Sequence, residues 1–331
     1  MTGLTNKQLE FFNESGYLIV EDVLKESDLE ALRMDYAAVL DQQVPRLVQS
    51  GKISEAHDNL PFEERYPKIL TQLDQMYDLY QHLDISLPLL QRMDKAATLN
   101  ASPAVFHNLL RHPAILDIAQ SVLGGELTSN PVQHTRIKPP KWALPGGEID
   151  SNIAKTNWHQ DEAVLTDDAK DIQMLTVWVA ITDATLENGC MICVPGSHRK
   201  DVAMHCPGQL AGSSAEIYIP DELIGSGAVP LPVGKGGVVL LNQQTIHGSL
   251  DNTTADLRWS FDLRYNVTGQ MSGRDVFPGF VARSLSDPAS ELTDAEVWRA
   301  AWFAARDELV GRESVLFNER WKRFSDDAMC A

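Results

Sequence analysis

The stretch that decides the fold is Gly237-Val238-Val239-Leu240-Leu241-Asn242-Gln243-Gln244-Thr245-Ile246-His247, followed by Leu257-Arg258-Trp259-Ser260-Phe261-Asp262-Leu263-Arg264-Tyr265-Asn266-Val267. Both runs are short, bounded by turn-forming residues and rich in β-branched and aromatic side chains, which fits strands and not helices. Working outward, residues 127–138, 156–161, 172–182, 190–194 and 216–219 have the same character and are separated by Gly, Pro, Asn and Asp. So many short strands in succession predict a sandwich or barrel. Gly234-Lys235-Gly236-Gly237 precedes an apolar run with no helical period, so it reads as a turn and not as a phosphate cradle.

Helical signals flank this core. The amphipathic segment around Gln8 to Phe12 precedes a short strand, Tyr17-Leu18-Ile19-Val20, expected at a sheet edge. Ser27 with Glu30 has the pattern of a capping box opening a helix through about Val44. Pro113 opens another helix that Gly124 and Gly125 end, and Thr293 with Glu296 suggests a second capping box before Trp298 and Trp302. With no internal repeat or low-complexity linker, the expected organisation is one domain over 1–331, mainly β with flanking helices. It divides into a helical scaffold with an edge strand (1–126), the β core (127–267) and a helical cover (268–331). The Pro- and Gly-rich connections 139–156 and 199–232 are expected to form the mouth of the core and to contact substrate.

Composition narrows the function. The 331 residues include 46 acidic and 28 basic side chains, a formal charge of −18, and 44% are hydrophobic. An acidic chain without a Lys/Arg-rich run repels phosphate backbones and anionic headgroups, so neither nucleic acid nor a membrane surface is an expected partner. A monomer or homodimer acting on a small molecule is expected. The polar start of the chain and the lack of a long apolar run point to the cytoplasm. Four cysteines, Cys190, Cys193, Cys206 and Cys330, are too few for a disulfide framework and read as free thiols. Cys190 and Cys193 are not a zinc pair, since no second pair accompanies them.

The chemistry centres on Trp158-His159-Gln160-Asp161. On a strand, side chains alternate with period two, so His159 and Asp161 point the same way. His247 ends a strand far downstream. Two neutral imidazoles and one carboxylate fill one face of an octahedral ion and leave three positions open, as non-haem Fe(II) oxygenases require. Arg258, on the following strand, carries a planar fork suited to a carboxylate. Arg264, on the same face of that strand, is the second choice. An isolated His-x-Asp is common by chance, and the conjunction with His247 and Arg258 is what gives it meaning.

His159-Gln160-Asp161, the segment from Glu187-Asn188-Gly189 to Pro195-Gly196-Ser197-His198, and His247 with Arg258 together resemble the phytanoyl-CoA dioxygenase family of Fe(II)/2-oxoglutarate oxygenases, over roughly residues 10 to 285. The resemblance implies a double-stranded β-helix, the cupin-like jelly roll, with His159, Asp161 and His247 holding Fe(II) and Arg258 holding the 2-oxoglutarate C5 carboxylate. It places Trp178 on the wall of the cosubstrate pocket, although Val177 and Val179 beside it also fit an ordinary core position. It matches Lys138-Pro139-Pro140 to a family element, and it sets Gln133 and His134 near a position that contacts 2-oxoglutarate or substrate. Asp161 stands where halogenating members carry Gly or Ala, so oxygen insertion or desaturation is implied. The implied reaction consumes O2 and 2-oxoglutarate, releases succinate and CO2, and hydroxylates or desaturates a small organic molecule such as a secondary metabolite. The other reading open from the residues is a non-oxidative cupin-like barrel, an isomerase or binding protein with a different divalent metal.

Overall fold

Thr5 starts the first helix. Its hydroxyl accepts from the Gln8 amide at 3.3 Å, and the Gln8 side chain accepts from the Thr5 amide at 2.9 Å, a capping box that opens α1 (Asn6–Ser15). Gly16 ends it at φ 78°, where a side chain would also run into His198 and Thr245. The computed structural model describes residues 3–88, 93–144, 155–169, 171–207, 217–312 and 319–330. After β1 (Tyr17–Val20) come α2 (Glu26–Gln49), α3 (Phe62–Leu70), α4 (Tyr77–Tyr80), α5 (Pro103–Val105), which runs into a π-helical turn over Phe106–Leu110, and α6 (Pro113–Leu123). Then follow β2 (Glu126–Ser129), β3 (His134–Lys138), β4 (Met174–Ala180), β5 (Met191–Cys193), β6 (Cys206–Pro207), β7 (Ile217–Tyr218), α7 (Asp221–Ile224) and β8 (Val229–Leu231). The chain continues through β9 (Val238–Asn242), β10 (His247–Ser249), β11 (Arg258–Val267), β12 (Phe280–Ser284) and α8 (Ala295–Leu309).

The strands form an antiparallel jelly roll. One seven-stranded sheet runs β1-β9-β4-β11-β2-β12, with β3 also paired to β11, and a three-stranded sheet runs β10-β5-β8. Period-two alternation sorts the side chains. Val238 and Leu240 of β9, Val177 and Val179 of β4, and Trp259, Phe261 and Leu263 of β11 face the helical layer. Val239, Leu241, Trp178 and Ala180 face the small sheet, where Met191, Cys193 and Leu231 meet them. The helices cover the outer face of the large sheet through the apolar stripe Leu29, Leu32, Tyr36, Leu40, Val44 and Leu47 of α2.

Several local expectations are corrected. Helix α2 is capped at Lys25, whose amide donates to Asp28 at 2.9 Å, and not at Ser27. It passes through Pro45 to Gln49 because the buried stripe continues to Leu47. Asp294 and not Thr293 caps α8, accepting from the Glu296 amide at 2.8 Å. Residues 156–161 are not a strand, since His159 makes only an isolated bridge to His247 and Asp161 opens a 3-10 turn to Val164. The region after 267 is not purely helical, because β12 joins the large sheet beside β2. The connection 199–232 contains β6, β7, α7 and β8, with 208–216 outside the described residues. Most of the other expected mouth connection, 145–154, also lies outside them. Cys206 and Cys330 form a disulfide, with Cα atoms 5.3 Å apart, so only Cys190 and Cys193 are free thiols. Their separation by 124 residues carries no sequence signal of proximity. Among the described residues, no helix is long and apolar enough to cross a membrane.

The α2 stripe is testable. Replacing fully buried Leu32 with Ala lowers the unfolding free energy by about 2–5 kcal/mol, while Met34→Ala, at a side chain 65% exposed, stays within about 0.5 kcal/mol. Urea unfolding of both variants against wild type checks the contrast.

Candidate active site

The cleft lies between the two sheets. The large sheet supplies Arg136, Thr176, Trp178, Arg258, Asp262 and Arg264, and the small sheet supplies Met191 and His247. His159 and Thr156 reach it from the segment before the 3-10 turn. That segment is held against β10 by reciprocal bonds between the His159 and His247 backbones, each 2.9 Å, and by the Ser249 amide donating to the Thr156 carbonyl at 3.0 Å. Gly248 permits this approach, since a Cβ there would lie 2.9 Å from the Thr156 carbonyl.

His159, Asp161 and His247 converge. Each offers one donor atom, and the three atoms lie within 4.8 Å of one another. Asp161 Oδ1 is 3.7 Å from His159 Nε2 and 3.9 Å from His247 Nε2. Each imidazole gives its Nδ1 hydrogen to a backbone carbonyl, His159 to Asn157 at 2.8 Å and His247 to Thr245 at 2.8 Å. A carbonyl can only accept, so both Nε2 atoms carry lone pairs facing the carboxylate. Burial, reinforced by His247, pushes the His159 imidazole down to about 3, which keeps it neutral. This donor set fits a divalent transition ion with open positions.

Asp161 is fully buried, which alone would favour its neutral acid. The Arg264 charge, with the two imidazoles, overrides burial and holds the carboxyl well below the usual carboxylate range. Arg264 Nη2 lies 2.5 Å from Asp161 Oδ1, and the Thr176 hydroxyl donates to Oδ2. The residues flanking Asp161 are also fixed. The Gln160 amide donates to His205 Nε2 at 3.1 Å, the Gln160 side chain donates to the Gln244 carbonyl at 2.7 Å, and the Glu162 amide donates to the Gln243 carbonyl at 3.0 Å.

Arg258 is buried with its guanidinium 5.3 Å from the centre of the Trp178 ring. Its Nη1 donates to Ser260 Oγ at 2.6 Å, and its Nε is buried without a partner among the described residues. Burial lowers it to about 10, so it stays cationic at neutral pH. Trp178 lines the cleft beside it. Arg264, the second-choice anchor, is engaged at both terminal nitrogens, Nη1 donating to the Val132 carbonyl and Nη2 to Asp161 Oδ1. Lys138 faces Arg258 across the β3–β11 register but is not part of the cleft wall. Its Nζ donates to Ser249 Oγ at 2.9 Å and to the Leu250 carbonyl at 2.6 Å. His134 and Gln133 are not part of that wall either. His134 Nδ1 lies 2.9 Å from Asp84, and Gln133 donates to the Ile85 carbonyl at 3.0 Å.

Sequence reasoning missed Arg136, Thr176 and Asp262. The signal for Asp262 was the alternation of Arg258, Asp262 and Arg264 with aromatic residues, and for Arg136 its spacing of two from Lys138.

A jelly-roll cleft with two imidazoles and a carboxylate converging beside a buried arginine defines the non-haem iron oxygenase class. Residues 12–260 match the model of the phytanoyl-CoA dioxygenase (PhyH) family. The chain belongs to the phytanoyl-CoA dioxygenase family, and is an Fe(II)- and 2-oxoglutarate-dependent dioxygenase. Among relatives, it is 26% identical over 269 residues to phytanoyl-CoA dioxygenase domain-containing protein 1 of Danio rerio, covering 77% of this chain and 87% of that protein. It is 22% identical over 336 residues to a probable phytanoyl-CoA dioxygenase of Caenorhabditis elegans, covering 95% of each. Among solved structures, the non-heme monooxygenase ThoJ matches with a TM-score of 0.56 at 18% identity, covering 91% of this chain and 96% of that one. EctD from S. alaskensis, solved with 2-oxoglutarate and 5-hydroxyectoine, matches with a TM-score of 0.51 at 19% identity, covering 81% and 77%. These two likenesses bear on the fold.

Lys138 makes a pH prediction. Burial, with Arg258 and Arg136 nearby, pushes its amine from 10.5 down to about 6. The unfolded chain holds this proton up to the ordinary value and the folded chain releases it above about 6, so the unfolded state binds more protons between these limits. Stability therefore rises with pH across that window. Urea unfolding at pH 7 and pH 9 will show wild type gaining more than Lys138→Met, and equal gains would assign a charged amine to the folded state.

Proposed function

We propose that this enzyme hydroxylates or desaturates a small organic molecule, with His159, Asp161 and His247 as its iron ligands and Arg258 as its 2-oxoglutarate anchor. The convergence of both imidazole Nε2 atoms on Asp161 Oδ1 carries this reading. When bound, iron and 2-oxoglutarate supply oxidation by O2, with release of succinate and CO2.

The chain's own residues hold, orient and exclude. The carbonyls of Asn157 and Thr245 fix both imidazoles in the tautomer that presents Nε2. Arg264 and Thr176 act as positioning residues, keeping Asp161 ionised and fixing its rotation. Arg258 offers a fork that a carboxylate accepts in two parallel bonds, with the Trp178 ring closing one side. Lys138 keeps β10, and with it His247, at a fixed distance from β3 through Ser249. Gln133 and His134 dock the helical layer onto β3 through Ile85 and Asp84.

Purified protein supplied with Fe(II), ascorbate and O2 converts 2-oxoglutarate to succinate. His159→Ala abolishes that turnover and weakens Mn(II) binding, followed by calorimetry, by at least about 100-fold, more than the loss of an outer-shell partner brings. Full metal content and activity in that variant would reassign the triad. Arg258→Gln raises the 2-oxoglutarate requirement by at least about tenfold, the scale of a charge-assisted hydrogen bond, and leaves Mn(II) binding nearly unchanged. An unchanged requirement would move the anchor elsewhere.

A further inference from the structure

Three guanidinium groups line the cleft: Arg136, Arg258 and Arg264. Arg264 is committed to Asp161 and the Val132 carbonyl. Arg258 is the proposed cosubstrate anchor. Arg136 has no role in either reading.

Arg136 is half-buried on β3, its side chain 13% exposed, opposite Ser260 in the β11 register and on the same strand face as Lys138. Its Nε donates to Asp262 Oδ2 at 2.7 Å. That contact fixes the plane of the guanidinium and uses only one of its five donors. Its terminal nitrogens meet no hydrogen-bond acceptor among the described residues, although the group lines the open cleft. Asp262 pairs with Arg136 through Oδ2 alone, its other oxygen, Oδ1, being buried without a partner among the described residues, so the terminal nitrogens of the fork are left free to donate to a ligand. Arg136 lines the same cleft as His159 and His247.

A fixed, half-used guanidinium beside the reacting centre suits a planar anion. We propose that Arg136, oriented by Asp262, binds a carboxylate of the molecule being oxidised, so that the substrates are small organic acids. This rests on the oxygenase reading above. The acid group accepts from the Arg136 terminal nitrogens, and the rest of the molecule extends toward the face of the triad. An amine in the same place would meet repulsion from Arg136 and Arg258, and a neutral amide would forgo the charge-assisted bonds.

The test uses the whole protein loaded with Mn(II), which does not turn over, and saturating 2-oxoglutarate. Calorimetry then follows binding of N-acetylproline, 3-phenylpropionate and hexanoate, each against its own primary amide. At least one acid binds about tenfold or more tighter than its amide, as expected for a charged hydrogen-bonded contact. The same acid stimulates succinate release when Fe(II) replaces Mn(II). Arg136→Gln, and the double variant with Asp262→Asn that removes both buried charges together, bring the acid-to-amide ratio close to one. In both variants 2-oxoglutarate affinity falls less than in Arg258→Gln. Acids and amides binding alike, or none binding to loaded protein, overturns the proposal, as does an Arg136→Gln variant that loses 2-oxoglutarate affinity and keeps the acid preference. Wild-type protein that takes up neither Mn(II) nor 2-oxoglutarate indicts the oxygenase reading instead.

Discussion

Strand β11 is withdrawn from water on both faces, and every second residue of it from Arg258 to Arg264 is charged or hydroxylic. Burying an ion costs several kcal/mol unless a counter-charge and hydrogen bonds meet it. Each buried charge on this strand therefore dictates a neighbour. Arg264 demands Asp161, which fixes the 3-10 turn that carries the carboxylate and brings it under the two imidazoles. Asp262 demands Arg136, which ties β3 into the cleft wall. Among the described residues Arg258 finds only Ser260 and the face of Trp178, and no carboxylate is hydrogen-bonded to it. The opposite face of the strand has the simpler task of burying Trp259, Phe261, Leu263 and Tyr265 beneath the helices.

The helical layer does more than cover that face. Asp84 Oδ1 accepts from the Thr135 amide at 2.9 Å and Oδ2 meets His134, while the Tyr36 hydroxyl donates to the Leu83 carbonyl at 2.7 Å and meets Thr135 Oγ1. Tyr80 donates to the Thr135 carbonyl. Thr135 is thus held at its amide, its hydroxyl and its carbonyl by three residues, and the residue beside it is Arg136. The position of a cleft arginine is set by groups on the far side of the sheet, and Gln133 and His134 beside it bond to Ile85 and Asp84 of the same layer.

This explains how much of the molecule could be read in its sequence. The period-two pattern of β9 and β11, and the pattern His159-x-Asp161 with distant His247 and Arg258, are local statements, and they survive folding. What was illegible is long-range. Nothing in the sequence pairs Arg264 with Asp161 across 103 residues, Asp84 with His134 across 50, or Cys206 with Cys330 across 124. The helix starts differ by one or two residues because Asp28 reaches back to the Lys25 amide and so opens α2 before Ser27, and Asp294 takes the Glu296 amide that a Thr293 cap would have met. His159 and Asp161 were expected to share a face because they lay on a strand. They do converge, but through a bridge and a 3-10 turn, so the conclusion held although its stated geometry did not.

The distribution of charge shows why the whole-chain balance is a poor guide to the ligand. The chain carries a formal −18, yet the described cleft wall carries three guanidinium groups and the carboxylate of Asp262, with Asp161 paired to Arg264 behind it. Surface carboxylates act through water and are screened within about 8 Å at physiological salt. The buried arginines act through a medium of lower dielectric, where the same separation is worth several times more. An anion approaching the enzyme therefore meets a weak and screened repulsion outside and an unscreened attraction once it enters.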